Sequence, residues 1–239
     1  MNNNKEFLNS FNNIEDYLKD ESARDNSSFH YLLMEISRDN KVVAHYESEL
    51  NTLKELRNFI VHGNIDEPLA IVSDTTVERI KVIEKAIITP VKIREVFANK
   101  VVCVREDDTL LEVLKTIREN KFSQFPVIGK DGFTGLVTDN GITNWLANNM
   151  EADTISIKDT CISDVMIDDE EVDSYAFLYS YSTLYDVIKE FDKGRSLNNR
   201  SFTIIVLKRK NENVKLEDIY TILTPWDLNK VYRNLGLKK

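Results

Sequence analysis

Apolar residues recur at helical spacing in four segments of the first third of the chain: Leu8, Phe11 and Leu18; Phe29, Leu32, Leu33 and Ile36; Tyr46, Leu50, Leu53 and Ile60; Val77, Ile80, Ile83 and Ile87. Each run predicts a helix with one buried face. Asn26-Ser27-Ser28 precedes the second run, Gly63 follows the third as a candidate C-cap, and Thr75-x-x-Glu78 offers a capping box before the fourth. Thr89-Pro90 ends the fourth, because the residue before a proline avoids the helical region. Four short helices with short connections predict a small bundle over residues 1–88.

From about residue 91 the pattern changes to alternating strands and helices, and it is written twice. DTLLEVL (108–114) and STLYDVI (182–188) each follow an apolar, β-prone run, VVCVRE or YAFLYSY, and each opens a helix. FPVI (125–128) and TIIV (203–206) follow as strands. Each copy closes on a strand ending in threonine, GLVTDNGI (135–142) and TILTPWDL (221–228). Successive parts are offset by 74, 78 and 86 residues, so the second copy carries insertions in its loops. The pattern predicts a duplicated β-α-β-β-α unit over 89–150 and 151–239, and an α+β chain overall. Asp107-Asp108 offers an N-cap for the first repeat helix. Residues 151–173 read as the link between copies, and 208–218 as an enlarged, mobile hairpin loop replacing the tight GKDG turn of copy one. Tyr175, Tyr179 and Tyr181 alternate along a strand as a packing stripe.

A chain of 239 residues, 42% of them apolar, can bury a core without staples. Cys103 and Cys161 have no partners at metal-ligand spacing and read as reduced thiols of a cytoplasmic protein. His30 and His45 likewise lack ligand partners, so no metal site is expected. No apolar run of 18 residues and no signal-peptide pattern occur, which argues against a membrane span and secretion. The net charge of −9 opposes a role in tracking nucleic-acid backbone. Residues 1–87 hold 10 basic and 16 acidic residues and the rest 21 and 24, so neither part is basic by composition.

Residues 91–235 resemble a tandem pair of CBS domains, the Bateman module, on the strength of the strand, DTLLEVL-like helix, FPVI-like strand and G-x-x-T-x-x-D-like ending occurring twice in order. That resemblance implies a two-fold disc whose clefts bind adenosine nucleotides or related adenosyl ligands such as AMP, ADP, ATP or cyclic di-AMP, as regulatory ligands and not as required cofactors. It places Thr224 and Asp227 on the ribose and phosphate, with Thr203 and Ile205 lining the base pocket and Thr138 as a remnant or secondary contact. An aspartate there can accept charge-assisted bonds from both ribose hydroxyls. Lys193, Arg195 or Arg200 are candidates for the phosphates. Copy one has Gly141 where copy two has Asp227, so one site per chain is favoured. Thr221 stands where the family has glycine, narrowing the approach. The alternative is that Asp227 only caps its helix.

In the third helical run, Leu53, Leu56, Phe59 and Ile60 fall within an arc of roughly 120° that should face the core, while Asn58 and His62 lie about 40° apart on the other side. Arg57 sits at the edge of that polar stripe. Arg57-Asn58-x-x-x-His62 resembles the R-N-x-x-x-H motif of the HEPN superfamily, helical bundles many of which are metal-independent RNases working as homodimers. The resemblance implies His62 as general acid or base, Arg57 stabilising charge on the phosphorane, Asn58 orienting the site, and RNA as a partner. Two alternatives stay open. The motif can be a helix terminus with Arg57 ion-paired to Glu55 or another acid, or the domain can be a non-catalytic dimerisation or docking module.

Overall fold

The computed structural model describes residues 3–22, 27–61, 70–98, 100–149, 155–167, 173–196 and 202–237. Mixed helices and two small sheets divide into two compact units, Met1–Val91 and Lys92–Lys239. In the first, α1 (Asn3–Glu21), α2 (Phe29–Asp39), α3 (Lys41–Val61) and α4 (Asp74–Ile88) share a core that includes Phe7, Phe11, Ile14, Leu18, Leu32, Leu33, Tyr46, Leu50, Ile80 and Ile83. On α1 the buried stripe is Phe7, Phe11, Ile14 and Leu18, and Leu8 is only half-buried. Asn3 donates to Asp74 at 2.6 Å, Asn13 to Glu84 at 2.6 Å, and Lys81 pairs with Glu6, so α1 and α4 run in the same direction. Ser73, not Thr75, caps α4, accepting from the Thr76 amide at 3.2 Å. Helix α4 does stop at Ile88, before Thr89-Pro90.

One expectation for α3 fails. Phe59 is 63% exposed. The cause is a mismatch of lengths: α3 has 21 residues and α2 has 11, or about 31 and 16 Å at 1.5 Å per residue. Asn40 turns one into the other, its Oδ1 accepting from the Val42 and Val43 amides at 3.0 and 3.2 Å. His30, at the start of α2, meets Asn51 of α3 at 3.4 Å. The turns of α3 beyond that point therefore run past the end of α2. His62 and Gly63 lie outside the described residues.

The second unit holds both copies of the repeat. After the short α5 (Ile93–Val96), copy one runs β1 (Val104–Arg105), α6 (Leu110–Asn120), β2 (Gln124–Gly129), β3 (Gly132–Thr138) and α7 (Asp139–Asn148). Another short helix, α8 (Ile162–Ile167), precedes copy two: β4 (Tyr175–Tyr179), α9 (Leu184–Ser196), β5 (Thr203–Leu207), β6 (Ile219–Leu223) and α10 (Leu228–Asn234). The sheets are ordered β1-β2-β3 and β4-β5-β6, each with a parallel pair followed by an antiparallel one. The repeated phrase is a repeated capping box. Thr109 N donates to Glu112 at 2.8 Å and Thr183 N to Asp186 at 2.7 Å, and each threonine hydroxyl accepts the reciprocal amide. Thr109, not Asp107 or Asp108, is thus the N-cap of α6.

The segments that precede the copies are exchanged. Lys92 bridges Thr183, and the amides of Ile93 and Arg94 donate to the Ser182 and Ser180 carbonyls at 2.9 and 3.0 Å, at the start of α9 in copy two. Reciprocally, Cys161 bridges Thr109, Ile162 N donates to the Asp108 carbonyl at 3.0 Å, and Leu110 N to that of Thr160 at 2.9 Å, at the start of α6 in copy one. Ile162 and Val165 are fully buried in copy one's core with Val113, Phe125 and Trp145, and Ile155, Ile157 and Met166 pack against it. Much of the supposed link is therefore core.

A second core, Leu136 with Ile205, Leu207, Val214 and Ile219, joins the two copies. It also anchors the 208–218 loop. Val214 is buried, its carbonyl accepts from Phe133 N at 2.7 Å, and Asp218 accepts from Lys215 N at 3.0 Å and Asn211 Nδ2 at 2.7 Å. Gly132 makes room for this. It has φ +126°, and a Cβ there would lie 2.8 Å from the Val214 carbonyl. Tyr175 packs in an aromatic cluster with Phe133 and Phe177, while Tyr181 lies beyond the end of β4, stacked on Tyr179 at 5.2 Å but 47% exposed, so the stripe is packing only in part.

The Lys215 amide and the Asn211 side chain hold the buried Asp218 carboxyl below its ordinary range. A depressed folded value means that its stabilisation is complete above the ordinary aspartate value of about 3.9 and lost as pH falls below it. Asp218→Asn should accordingly flatten the dependence of unfolding free energy on pH below about 4. Parallel urea titrations of the two proteins that gave the same slope there would refute this.

Candidate functional site

The ends of the repeat strands build a cavity of about 580 Å³ within the second unit. Its walls include Thr221, Ile222, Thr224, Pro225, Trp226 and Asp227 from copy two. Copy one contributes Lys121, Phe122, Ser123, Gln124 and Asp139, together with Lys100, Val101 and Val102 just before β1. Thr224 ends the strand stretch and Asp227 stands one turn on. Asp227 Oδ2 accepts from Thr224 N at 2.8 Å and from the Thr224 hydroxyl at 3.2 Å, so the carboxylate caps the turn while lining the cavity. The capping expected as the alternative is therefore present, and Oδ2 carries both of its internal bonds.

The other sequence candidates lie elsewhere. Thr203 and Ile205 are fully buried on β5, the central strand of its sheet, which β4 and β6 cover on either edge. Ile205 belongs to the core between copies, and the Thr203 hydroxyl donates to Gln124, a buried bond that ties copy two to a residue of the cavity wall. The lining falls instead to Thr221 and Ile222 on the edge strand β6. Thr138 is 1% exposed and caps α7, accepting from Gly141 N at 2.9 Å. Copy one thus uses its threonine for folding, and the neighbouring Asp139 reaches the cavity. Thr221 is fully buried within the wall.

Lys193 is engaged with Glu190 at 2.5 Å and Arg195 with Asp192 at 3.6 Å, and neither lines the cavity. Arg200 lies outside the described residues. The cavity's cations are Lys100 and Lys121. Lys121 is unusual: it ends α6 in the left-handed region, φ 57° and ψ 32°, a place that glycine fills with less strain. Two aromatic rings complete the wall, Trp226 at 86% and Phe122 at 44% exposure. Local signals for these residues existed. KFSQ immediately precedes FPVI, and Trp226 sits inside the T-P-W-D phrase.

In the first unit, Arg57 and Asn58 line one groove. With Lys54 they line a groove of about 330 Å³ bounded by Phe11 and Glu15 of α1 and by Ser28, Phe29 and His30 at the start of α2. Arg57 does not pair with Glu55. Glu55 contacts Lys54 at 2.9 Å, and Arg57 Nε is buried without a hydrogen-bond partner. Among the described residues, no three His, Cys, Asp or Glu side chains cluster as a metal site, and no helix is long and apolar enough to cross a membrane. Burial pushes the Cys103 thiol up to about 12, which leaves it inert as a nucleophile.

Residues 93–148, from α5 to the end of α7, match the family model of the CBS domain. Solved structures that resemble the chain carry the same domain. The CBS domain of a CBS domain containing membrane protein from Sphaerobacter thermophilus is 22% identical with a TM-score of 0.44, covering 66% of this chain and 96% of its own. The CBS-domain containing protein ATU1752 from Agrobacterium tumefaciens is 17% identical with a TM-score of 0.42, covering 59% and 92%. The CBS domain pair of protein MJ0100, solved in complex with 5′-methylthioadenosine and S-adenosyl-L-methionine, is 12% identical with a TM-score of 0.41, covering 61% and 98%. No curated protein matches the sequence.

Proposed function

We propose that the chain is an adenosine-nucleotide-sensing regulatory protein whose second unit is a CBS pair controlling the helical unit as its effector, working as a homodimer. The observation that carries this reading is the convergence of Thr224 and Asp227 with two lysines and two exposed aromatic rings around one cavity. Its volume of about 580 Å³ suits a small cofactor-sized ligand. Asp227 Oδ1 is left to accept from the ribose diol, Trp226 and Phe122 offer faces for the base, and Lys100 and Lys121 offer charge to the phosphates. A lysine held in a left-handed conformation is the kind of local strain that functional sites retain.

Thermal shifts with AMP, ADP, ATP, cyclic di-AMP and S-adenosylmethionine test the reading, since a ligand that binds only the native state stabilises it, by about 2.7 kcal/mol at one hundred times Kd. Silence across the whole panel would end it. Replacing Lys121 adds a second check: Lys121→Gly should leave unfolding free energy within about 1 kcal/mol of wild type, because relief of the left-handed strain offsets the more flexible unfolded chain. The same variant should bind the phosphorylated members of the panel more weakly. A stable variant with unchanged affinity for them would remove Lys121 from the site.

For the helical unit, the HEPN-like reading rests on Arg57-Asn58-x-x-x-His62, and metal-independent RNA cleavage is the activity it implies. The non-catalytic form of the same proposal keeps this unit as a dimerisation or docking module. RNA incubated with the protein, with and without the stabilising nucleotide, separates the two, provided that any cleavage is lost in His62→Ala.

A further inference from the structure

The groove between α1, α2 and α3 holds an arginine donor, Arg57 Nε, with no hydrogen-bond partner among the described residues. Arg57 Nε is buried and partnerless, an arrangement whose desolvation is uncompensated within the protein. Its surroundings are those of an anion site. Lys54 lines the same groove, and its partner Glu55 is 61% exposed and outside the lining. Ser28 and His30 bring in the start of the 11-residue α2, and Ser28 makes no side-chain cap there, so the positive end of the helix dipole adds to the two cations. Among the described lining residues the one carboxylate is Glu15, which is paired with Lys19 at 3.4 Å.

The groove exists because α2 begins beside Asn51, leaving the later turns of α3 uncovered on that side. A guanidinium presents Nε and Nη donors in a planar fork that matches two oxygens of a phosphoryl group. We infer that this groove binds a small phosphoryl anion, held by Arg57 and Lys54 with the N-terminus of α2. Asn58 supplies a neutral amide at the rim, suited to a phosphate oxygen or ester substituent. This inference does not rest on nucleotide sensing by the other unit or on RNA cleavage.

The test uses the full chain carrying Lys100→Gln and Lys121→Gln, which removes the cations of the other cavity as a competing phosphate site. Inorganic phosphate and pyrophosphate are titrated calorimetrically at constant ionic strength, with chloride as the reference and a 5′-phosphorylated oligonucleotide as a separate arm. Saturable phosphate or pyrophosphate binding is expected, weakened at least tenfold by Arg57→Gln and also by Lys54→Gln, and unchanged by Lys85→Gln on the exposed face of α4. Circular dichroism and the melting temperature establish that each variant is folded; Lys54→Gln carries the test if Arg57→Gln is not. The inference is overturned by a lack of saturable binding, by equal loss in Lys85→Gln, or by binding of the oligonucleotide alone. Phosphate binding without any nucleotide response in the unmodified chain would sink the sensor reading and leave this one standing.

Discussion

Asp227→Ala is expected to weaken adenosine-nucleotide binding by ten- to a hundredfold or more, the largest functional effect of any single change in the second unit. Each charge-assisted bond to a ribose hydroxyl is worth about 1.5–3 kcal/mol, and one carboxylate can accept two. The carboxylate also has a structural duty, since its Oδ2 holds the Thr224 amide and hydroxyl. Removing it therefore costs stability as well, about 0.5–2 kcal/mol for a lost cap. The two effects separate experimentally. Asp227→Asn retains an acceptor oxygen for the Thr224 amide but removes the charge, so stability should largely recover while affinity stays low. If affinity for every ligand in the panel survives both substitutions, Asp227 is a cap and nothing more. In copy one, where Thr138 caps α7 through Gly141 N, substitution of the threonine should affect folding and leave nucleotide affinity unchanged in the folded fraction.

Ile162→Ala is expected to destabilise the protein by about 2–5 kcal/mol, as for other fully buried large-to-small changes. Read from the sequence, residue 162 belongs to a polar link, where a substitution would cost under about 0.5 kcal/mol. In the fold it is fully buried among Val113, Phe125 and Trp145, and its amide bonds the Asp108 carbonyl at the entrance to α6. Urea unfolding distinguishes the values easily, since the difference exceeds the usual error of the extrapolation. A change below about 1 kcal/mol would mean that α8 contributes little to copy one's core.

The parts of this fold that repeat were legible, because strand, capped helix and strand leave a periodic trace that survives divergence. T-L-L-E and T-L-Y-D are the same capping box, and the closing strands stand where the repeat placed them, β3 ending at Thr138 and β6 one residue before Thr224. The match of residues 93–148 to the CBS domain agrees, for copy one, with the resemblance read from that trace. What escaped was long-range. KIREVF and CISDVM are a further repeat just upstream of each copy, but their destinations depend on the opposite copy, which no local pattern encodes. Phe59 looked like core because its angle on the helix was right, whereas its exposure follows from the length of a neighbouring helix. The lysines of the cavity escaped because one precedes a strand and the other ends a helix, so only folding brings them beside Asp227.

The exchange of α5 and α8 has a consequence for how such a protein can change over generations. A chain shortened to one copy would lose, with the other, the short helix at the flank of its own first long helix. Selection on ligand binding is then not needed to preserve copy one. Copy one can carry Gly141 where copy two carries Asp227, while deletion of the copy stays costly. Reciprocal packing turns a redundant duplicate into an obligatory one.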